Sequence, residues 1–414
     1  MDYIIDGGTR LFGEIAVYGA KNCALPLLGA SVLTDDTVVL RNCPQIVDVL
    51  NMLKLLQAMG KKVVWTQDTV EVSGELTTTQ APREYAKLLR GSALVLGSVL
   101  SRYGEINLPL PGGCAIGARP MDIHLDGLEH MGVEVHTSDS ELHCSGRPKA
   151  ADYTLRFASV GATENLLCAS VLSDGETTLH NCATEPEVEA LERLLIEMGA
   201  QIDGIGTPDL TVKGVAGLHG AEFTVIPDRI VAATYISAAV AAGGNVTVTH
   251  CNPSHLRAYL NMLYPHFDIT EYADAVTIVC GSHPSGYGRI YTAPYPFFHT
   301  DTQSLALSLA TMTDGGRTTI CENLFESRLT PIADELNKMG AQIAVEGNCA
   351  TVTGRPLHAA DVIARDLRGG AALVIAGLNA TGRTTVSGAH NICRGYLDLA
   401  GSLSSIGAHI AVKE

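Results

Sequence analysis

The sequence predicts an α/β (α+β) protein of two lobes, each of three repeats, with helices inside and sheets outside. Three observations carry this. The first is an apolar helix ending in Met-Gly or Ile-Gly, seen at Gly60, Gly132, Gly199, Gly340 and Gly407, with gaps of 72, 67, 141 and 67 residues. The long gap spans two repeats, and its missing member is MLYPHFDI, where His266 stands in place of glycine. The second is a turn followed by a Thr/Val-rich strand, beginning at 36, 104, 175, 243, 315 and 382. Two independent landmarks share one period, so six copies of about 69 residues fill the 414-residue chain. The third is composition: one helix of each copy is apolar nearly all round, which places it in a core.

Within a repeat the elements follow in order. The Ala-rich helix comes first: ALPLLGASVL, ALVLGSVL, NLLCASVL, IVAATYISAAVAA, SLALSLATM and AALVIAGL in the six copies. The Thr/Val strand comes next. An amphipathic helix such as QIVDVLNMLKLLQAMG follows, with glycine as its C-cap. Two short strands close the unit, for example KKVVW and TVEVSG. Units this large, three per half, close into compact globules rather than stacking in a line.

Composition bounds the function. A chain of this length suggests two or three domains. The formal net charge is −16, which argues against nucleic acid or an anionic membrane as the main partner. A few arginines can still make a local site for an anionic substrate. With 46% hydrophobic and 17% charged residues the chain should fold rather than stay disordered. There is no apolar run of about 18 residues and no secretory signal pattern at MDYIIDGGTR, so membrane insertion and export are not expected. Eleven scattered cysteines without a CxxC pair support neither a zinc knuckle nor a redox motif, and no metal or cofactor is expected. Reduced, cytoplasmic thiols, mostly small buried apolar residues, are the economical reading.

Polar residues cluster where the buried helices begin: Lys21-Asn22, Arg90, Ser159 to Thr163, Asp228-Arg229, Thr300-Asp301, and Asp366 with Arg368. Ser, Thr and Asp there are ordinary caps, and Thr163 and Asp228 read that way. Lysine and arginine oppose the helix dipole, so Lys21, Arg90, Arg229 and Arg368 point to a bound multivalent anion. The sharpest motif is LPGGCAIGARPMDIH, residues 110–124. Its glycines and proline make it a loop, and Cys114 beside Arg119 is an accessible thiol in a basic setting. His124, in the same motif, reads as a local hydrogen-bonding residue rather than a metal ligand.

YGAKNCALP, LPGGCAIGARPMDIH, SVGATEN, PDRI, HTDTQ, FESR, DLRGGAAL and CRGY, in this order, resemble the motifs of the UDP-N-acetylglucosamine 1-carboxyvinyltransferase family, from about residue 3 to 412. The resemblance implies a two-domain inside-out α/β barrel. Its domains would be 20–226, carrying the Cys114 loop, and 1–19 with 227–414, with the active site in the cleft between them. It implies transfer of the enolpyruvyl group of phosphoenolpyruvate to the 3′-hydroxyl of UDP-N-acetylglucosamine (UDP-GlcNAc), the first committed step of peptidoglycan precursor synthesis in the cytoplasm. Cys114 takes the acid role and Asp301 accepts the hydroxyl proton. Lys21, Arg119 and Arg394 hold phosphoenolpyruvate, with Arg90, Arg328 and Arg368 nearby. Uridine and diphosphate contacts fall on Arg119, Pro120, Met121, Asp122 and Ile123, on Phe157, Ala158, Ser159 and Val160, and on the Leu324 backbone. Asn22 and Asp366 line the reaction site. Alkylation of Cys114 by fosfomycin is implied as well.

The chain departs from the family pattern at several places. Phe297 and His299 precede Thr300-Asp301, Ser327 replaces an asparagine, Cys393 replaces an aspartate before Arg394, and Gly91 follows Arg90. These leave two other readings open: a weak paralogue that binds UDP-GlcNAc as a sensor, and a transferase for a different acceptor.

Overall fold

The computed structural model describes residues 1–86, 90–109, 121–325 and 327–414, with Arg90 by its backbone alone. Among them, twelve helices carry the repeat: α1 (Lys21–Ala30), α2 (Val47–Ala58), α3 (Leu96–Tyr103), α4 (Asp122–His130), α5 (Val160–Ser170), α6 (Pro186–Glu197), α7 (Arg229–Ala242), α8 (Arg257–Leu263), α9 (Thr300–Thr311), α10 (Leu329–Lys338), α11 (Leu367–Asn379) and α12 (Leu399–Ser404). The odd-numbered helices are the apolar ones and are buried along most of their length. The even-numbered ones keep a wet side. In α6, Val188, Leu191, Leu194 and Leu195 are buried while Arg193 and Glu197 face solvent. Each fully buried leucine or valine contributes roughly 1.5–3 kcal/mol, so the buried face, not helix propensity, holds these short helices in place.

The terminal glycines of five even-numbered helices, from Gly60 to Gly407, have φ between +83° and +121°. A side chain there costs about 1–2 kcal/mol. The fourth copy avoids the left-handed turn. Helix α8 is one of the shortest, and the His266 N–H donates to the Leu263 carbonyl at 2.9 Å without a positive φ.

Among the described residues, five sheets have four strands and one has three. In the fifth repeat the order is Gly288–Tyr291, Arg317–Cys321, Cys349–Thr353 and Gln342–Glu346. The first pair is parallel, with Ile290 opposite Ile320, and the others are antiparallel. The repeat therefore holds one strand more than the sequence reading assigns. This strand enters ahead of the buried helix and reaches its partner by a crossover through that helix, as parallel pairing requires.

The entering strands of the first and fourth repeats are exchanged. Leu11–Ala16 precedes α1 but pairs with Gly244–Thr249, whereas Glu222–Thr224 precedes α7 but pairs with Val38–Arg41. Asp2–Asp6 is inserted between Arg383–Ser387 and His409–Lys413. The chain accordingly divides into two compact units. One is Met1–Tyr18 with Pro227–Glu414, and the other comprises residues 19–109 and 121–226. Each has its own apolar core. In the first unit α7, α9 and α11 pack against one another, and the starts of α9 and α11 meet where Asp301 faces Arg368.

The cysteines need a correction. Cys321 and Cys349, 28 residues apart, stand opposite each other in the antiparallel ladder with Cα atoms 4.0 Å apart, and they form a disulfide. The uniformly reduced reading fails because a cross-strand pair leaves no spacing signature in the sequence. Seven of the other described cysteines are buried and free, and Cys393 is half-buried. Among the described residues no helix is long and apolar enough to cross a membrane.

Candidate active site

In the unit containing α7, α9 and α11, the helix starts bring charged groups together. Asp366 caps α11, accepting from the Arg368 and Gly369 N–H groups at 3.0 and 2.9 Å. This cap sets the first turn, and the Arg368 side chain then lies against Asp301 at the start of α9. The Asp301 carboxylate accepts from Arg328 Nη2 at 2.8 Å through Oδ1, and from Arg368 Nη2 at 3.3 Å and Nε at 3.4 Å through Oδ2. Both arginine side chains are nearly inaccessible, while the aspartate side chain is one-fifth exposed. Burial alone would raise the Asp301 pKa, but Arg368 and Arg328 hold it well below the usual carboxylate range. The site thus presents an ionised carboxylate and guanidinium groups at converging helix N-termini, a setting that suits an anionic reactant.

His299 is the residue that caps α9: its Nδ1 accepts from the Asp301 N–H at 3.1 Å. An imidazole thus does at this helix start what a Ser, Thr, Asp or Asn side chain more commonly does. Phe297 is largely exposed. Leu324 belongs to the segment between the strand Arg317–Cys321 and α10, and its N–H donates to Glu322 Oε1 at 2.9 Å. Arg394 ends a 3-10 turn, Ala389–Arg394, packed on α11.

In the other unit Lys21 opens α1, and its Nζ lies 3.1 Å from the buried Asp48 Oδ2. Asn22 follows it in the first turn. Lys21 thus pairs with a protein carboxylate, as Arg368 does with Asp301. Ser159 caps α5 at 3.5 Å from the Ala162 N–H, and Val160 begins that helix. Phe157 is exposed and Ala158 half-buried. Met121 and Ile123 pack against the core of this unit, and Asp122, at the start of α4, forms an ion pair with Arg156. The Arg90 side chain, Cys114, Arg119 and Pro120 lie outside the described residues. His124 Nδ1 meets the Asn165 side-chain amide at 3.0 Å, and burial pushes its pKa down to about 4, so it is a neutral acceptor. Among the described residues no cluster of His, Cys, Asp and Glu is suited to a metal.

Asp48, Glu322 and Glu164 are among the buried charged groups that sequence reasoning passed over. Glu322 was findable. The residues that follow the Thr/Val strands are Asn42, Leu110, Asn181, His250, Glu322 and Gly388, so one carboxylate breaks an otherwise uncharged series. Glu164, on α5, is 4% exposed and its Oε1 has no hydrogen-bond partner. Burial first, then the Glu187 and Glu185 carboxylates, push its pKa well up. Stability tied to such a group is full below the unfolded carboxyl pKa and is lost as pH rises through the folded value. Glu164→Gln should therefore stabilise the protein by about 1–3 kcal/mol at pH 8, with the gain vanishing near pH 4. Urea unfolding of both proteins at the two pH values measures this, and an equal difference at both would contradict it.

Residues 5–403 match the family model described as EPSP synthase (3-phosphoshikimate 1-carboxyvinyltransferase). The chain is 40% identical over 410 residues to UDP-N-acetylglucosamine 1-carboxyvinyltransferase 2 of Caldanaerobacter subterraneus subsp. tengcongensis, covering 98% of each chain. It is 42% identical over 414 residues to the UDP-N-acetylglucosamine 1-carboxyvinyltransferase of Acinetobacter baylyi, covering 99% of this chain and 98% of the other. Among solved structures it is similar to the enolpyruvyl transferase NikO from Streptomyces tendae, with a TM-score of 0.89, 26% identity, and 99% and 98% of the two chains covered. EPSP synthase from Acinetobacter baumannii shares the fold at a TM-score of 0.74 and 18% identity, with 99% of this chain and 100% of the other covered.

Proposed function

The chain belongs to the EPSP synthase family of enolpyruvyl transferases, and from that premise we propose that it moves the enolpyruvyl group of phosphoenolpyruvate to the 3′-hydroxyl of UDP-GlcNAc and releases phosphate. The observation that carries this reading is identity of 40–42% to UDP-N-acetylglucosamine 1-carboxyvinyltransferases, sustained over 98–99% of the chain. The reaction is the first committed step of peptidoglycan precursor synthesis, and its place is the cytoplasm.

The chemistry asks for an acid, a base and cations. A proton is added to the methylene carbon of phosphoenolpyruvate while the sugar oxygen attacks the neighbouring carbon and gives up its own proton. The tetrahedral adduct then loses phosphate and a methyl proton, which restores the double bond. Cys114 is assigned the first proton and Asp301 the hydroxyl proton. Lys21, Arg119 and Arg394 take the phosphate and carboxylate of phosphoenolpyruvate, with Arg90, Arg328 and Arg368 adding positive charge. Charge-assisted contacts of this kind are worth about 1.5–3 kcal/mol each. They act most strongly where charge builds in the adduct. Asn22 and Asp366 complete the reaction site. Met121, Asp122, Ile123, Phe157, Ala158, Ser159, Val160 and the Leu324 backbone, with Arg119 and Pro120, take the nucleotide.

Phosphate release measured with each substrate alone and with both together tests the proposal. Release that needs both supports it. Saturable UDP-GlcNAc binding without turnover at any phosphoenolpyruvate concentration would show a sensor instead. Turnover with shikimate 3-phosphate and none with UDP-GlcNAc would move the chain to another acceptor.

A further inference from the structure

Glu322 stands at the end of the strand Arg317–Cys321 and is 3% exposed. Its carboxylate receives four hydrogen bonds. Oε1 accepts from the Thr292 hydroxyl at 2.9 Å and from the N–H groups of Leu324 at 2.9 Å and Phe325 at 3.3 Å, and Oε2 accepts from the Thr300 hydroxyl at 2.7 Å. The direction of each bond is fixed by the partners beyond. Arg328 Nη1, which can only donate, gives its proton to Thr300 Oγ1 at 2.7 Å, so the threonine's own proton points to Glu322. The Asn323 N–H likewise donates to Thr292 Oγ1 at 2.9 Å, which sends that hydroxyl proton to Glu322. A buried carboxylate that is an acceptor at all four contacts is a built element, since each unmet partner would cost about 1–3 kcal/mol.

The network ends on the candidate site at two points. Through Thr300 it holds the guanidinium whose other nitrogen bonds Asp301. Through the 324–325 backbone it holds Leu324 and Phe325, and the Phe325 ring lies 5.6 Å from the Arg328 guanidinium carbon. We propose that Glu322 is a positioning residue of this enzyme: it sets Arg328 against Asp301 by way of the Thr300 hydroxyl, and fixes the Leu324 backbone by the same carboxylate. The proposal deepens the enolpyruvyl transfer reading and rests on it for its kinetic consequences.

Glu322→Gln keeps the shape and the acceptor at Oε1 but turns a donor, or a poorer acceptor, toward Thr300. Arg328 then loses its anchor and Asp301 loses part of its neutralising charge. We expect kcat to fall about 10- to 100-fold, the size of one lost charge-assisted contact, and the acid limb of the kcat–pH profile to move to higher pH. Thr300→Val should do the same, and the double variant should be no worse than the weaker single one, because both cut one chain. Additive losses with an unmoved pH profile would overturn the assignment and leave Glu322 a fold residue only. The unaltered enzyme in the same assay tests the parent reading separately. If it turns over neither substrate pair, that reading falls, and Glu322 is then judged on the titration of the Asp301 carboxyl, followed by 13C chemical shift. A rise in that titration in Glu322→Gln supports the assignment and an unchanged one refutes it.

Discussion

Replacing Asp301 with asparagine should lower kcat about 10²- to 10⁴-fold, the usual worth of a positioned acid–base group. It should also destabilise the protein by roughly 3–5 kcal/mol at pH 7, because it leaves the buried guanidinium groups of Arg328 and Arg368 without their shared counter-charge. The two effects have different pH signatures. The folded pKa of Asp301 is depressed, so its stabilising charge is fully present above the unfolded carboxyl value near 3.9 and is lost as pH falls through the lower folded value. The stability gap between the two proteins should therefore be flat from pH 8 to about 4 and close only in stronger acid. Urea unfolding at several pH values measures it, and a gap already shrinking at pH 6 would mean that the arginines do not hold the carboxylate as described.

The same ion pairs constrain the chemistry. A carboxylate held by two arginines is a poor proton acceptor, since proton affinity falls with pKa. An anionic reactant that draws on the same guanidinium groups would relax this hold and make Asp301 a better base when both substrates are present. The acid limb of kcat/KM, which reports the free enzyme, should then lie below that of kcat, which reports the loaded one. Coinciding limbs would mean that the arginines stay on Asp301 throughout the cycle.

The long-period features were readable because they repeat. Six apolar helices with one spacing identify the core elements, and the odd-numbered helices lie where that pattern puts them. The entering strands were not readable. Asp152–Thr154, Glu222–Thr224 and Asp361–Ile363 are three residues each, too short to show an alternation, and they form only because a partner strand is already in place. The exchange of entering strands between repeats left no mark for a different reason: Leu11–Ala16, although six residues long, pairs with Gly244–Thr249 far along the chain, and nothing local records the partner. In the site, Asp301, Arg328 and Arg368 were all singled out, but their pairing spans 27 and 67 residues and left no local mark. Charge at a helix start signals an unusual electrostatic setting, and it does not say whether the counter-charge is a ligand or, as with Asp48 and Lys21, another side chain.

Cys114→Ala should cost about 10²- to 10⁴-fold in kcat and leave UDP-GlcNAc binding nearly unchanged, because a proton donor acts on the reaction and not on the nucleotide. The same variant should resist inactivation by fosfomycin, whose epoxide is opened by a thiolate. The rest of the chain makes this a clean measurement. Burial raises the pKa of the free thiols Cys23, Cys43, Cys144, Cys168, Cys182, Cys251 and Cys280, and buried thiols with raised pKa are inert. Cys321 and Cys349 are joined to each other. Cys393 is the one other described thiol with partial exposure, and it sits next to Arg394. Intact-mass analysis should therefore find one adduct per chain in the unaltered protein, none in Cys114→Ala, and one in Cys393→Ser. An adduct that survives in Cys114→Ala and disappears in Cys393→Ser would transfer the reactive role to the half-buried cysteine and remove the acid assignment from the glycine-rich loop.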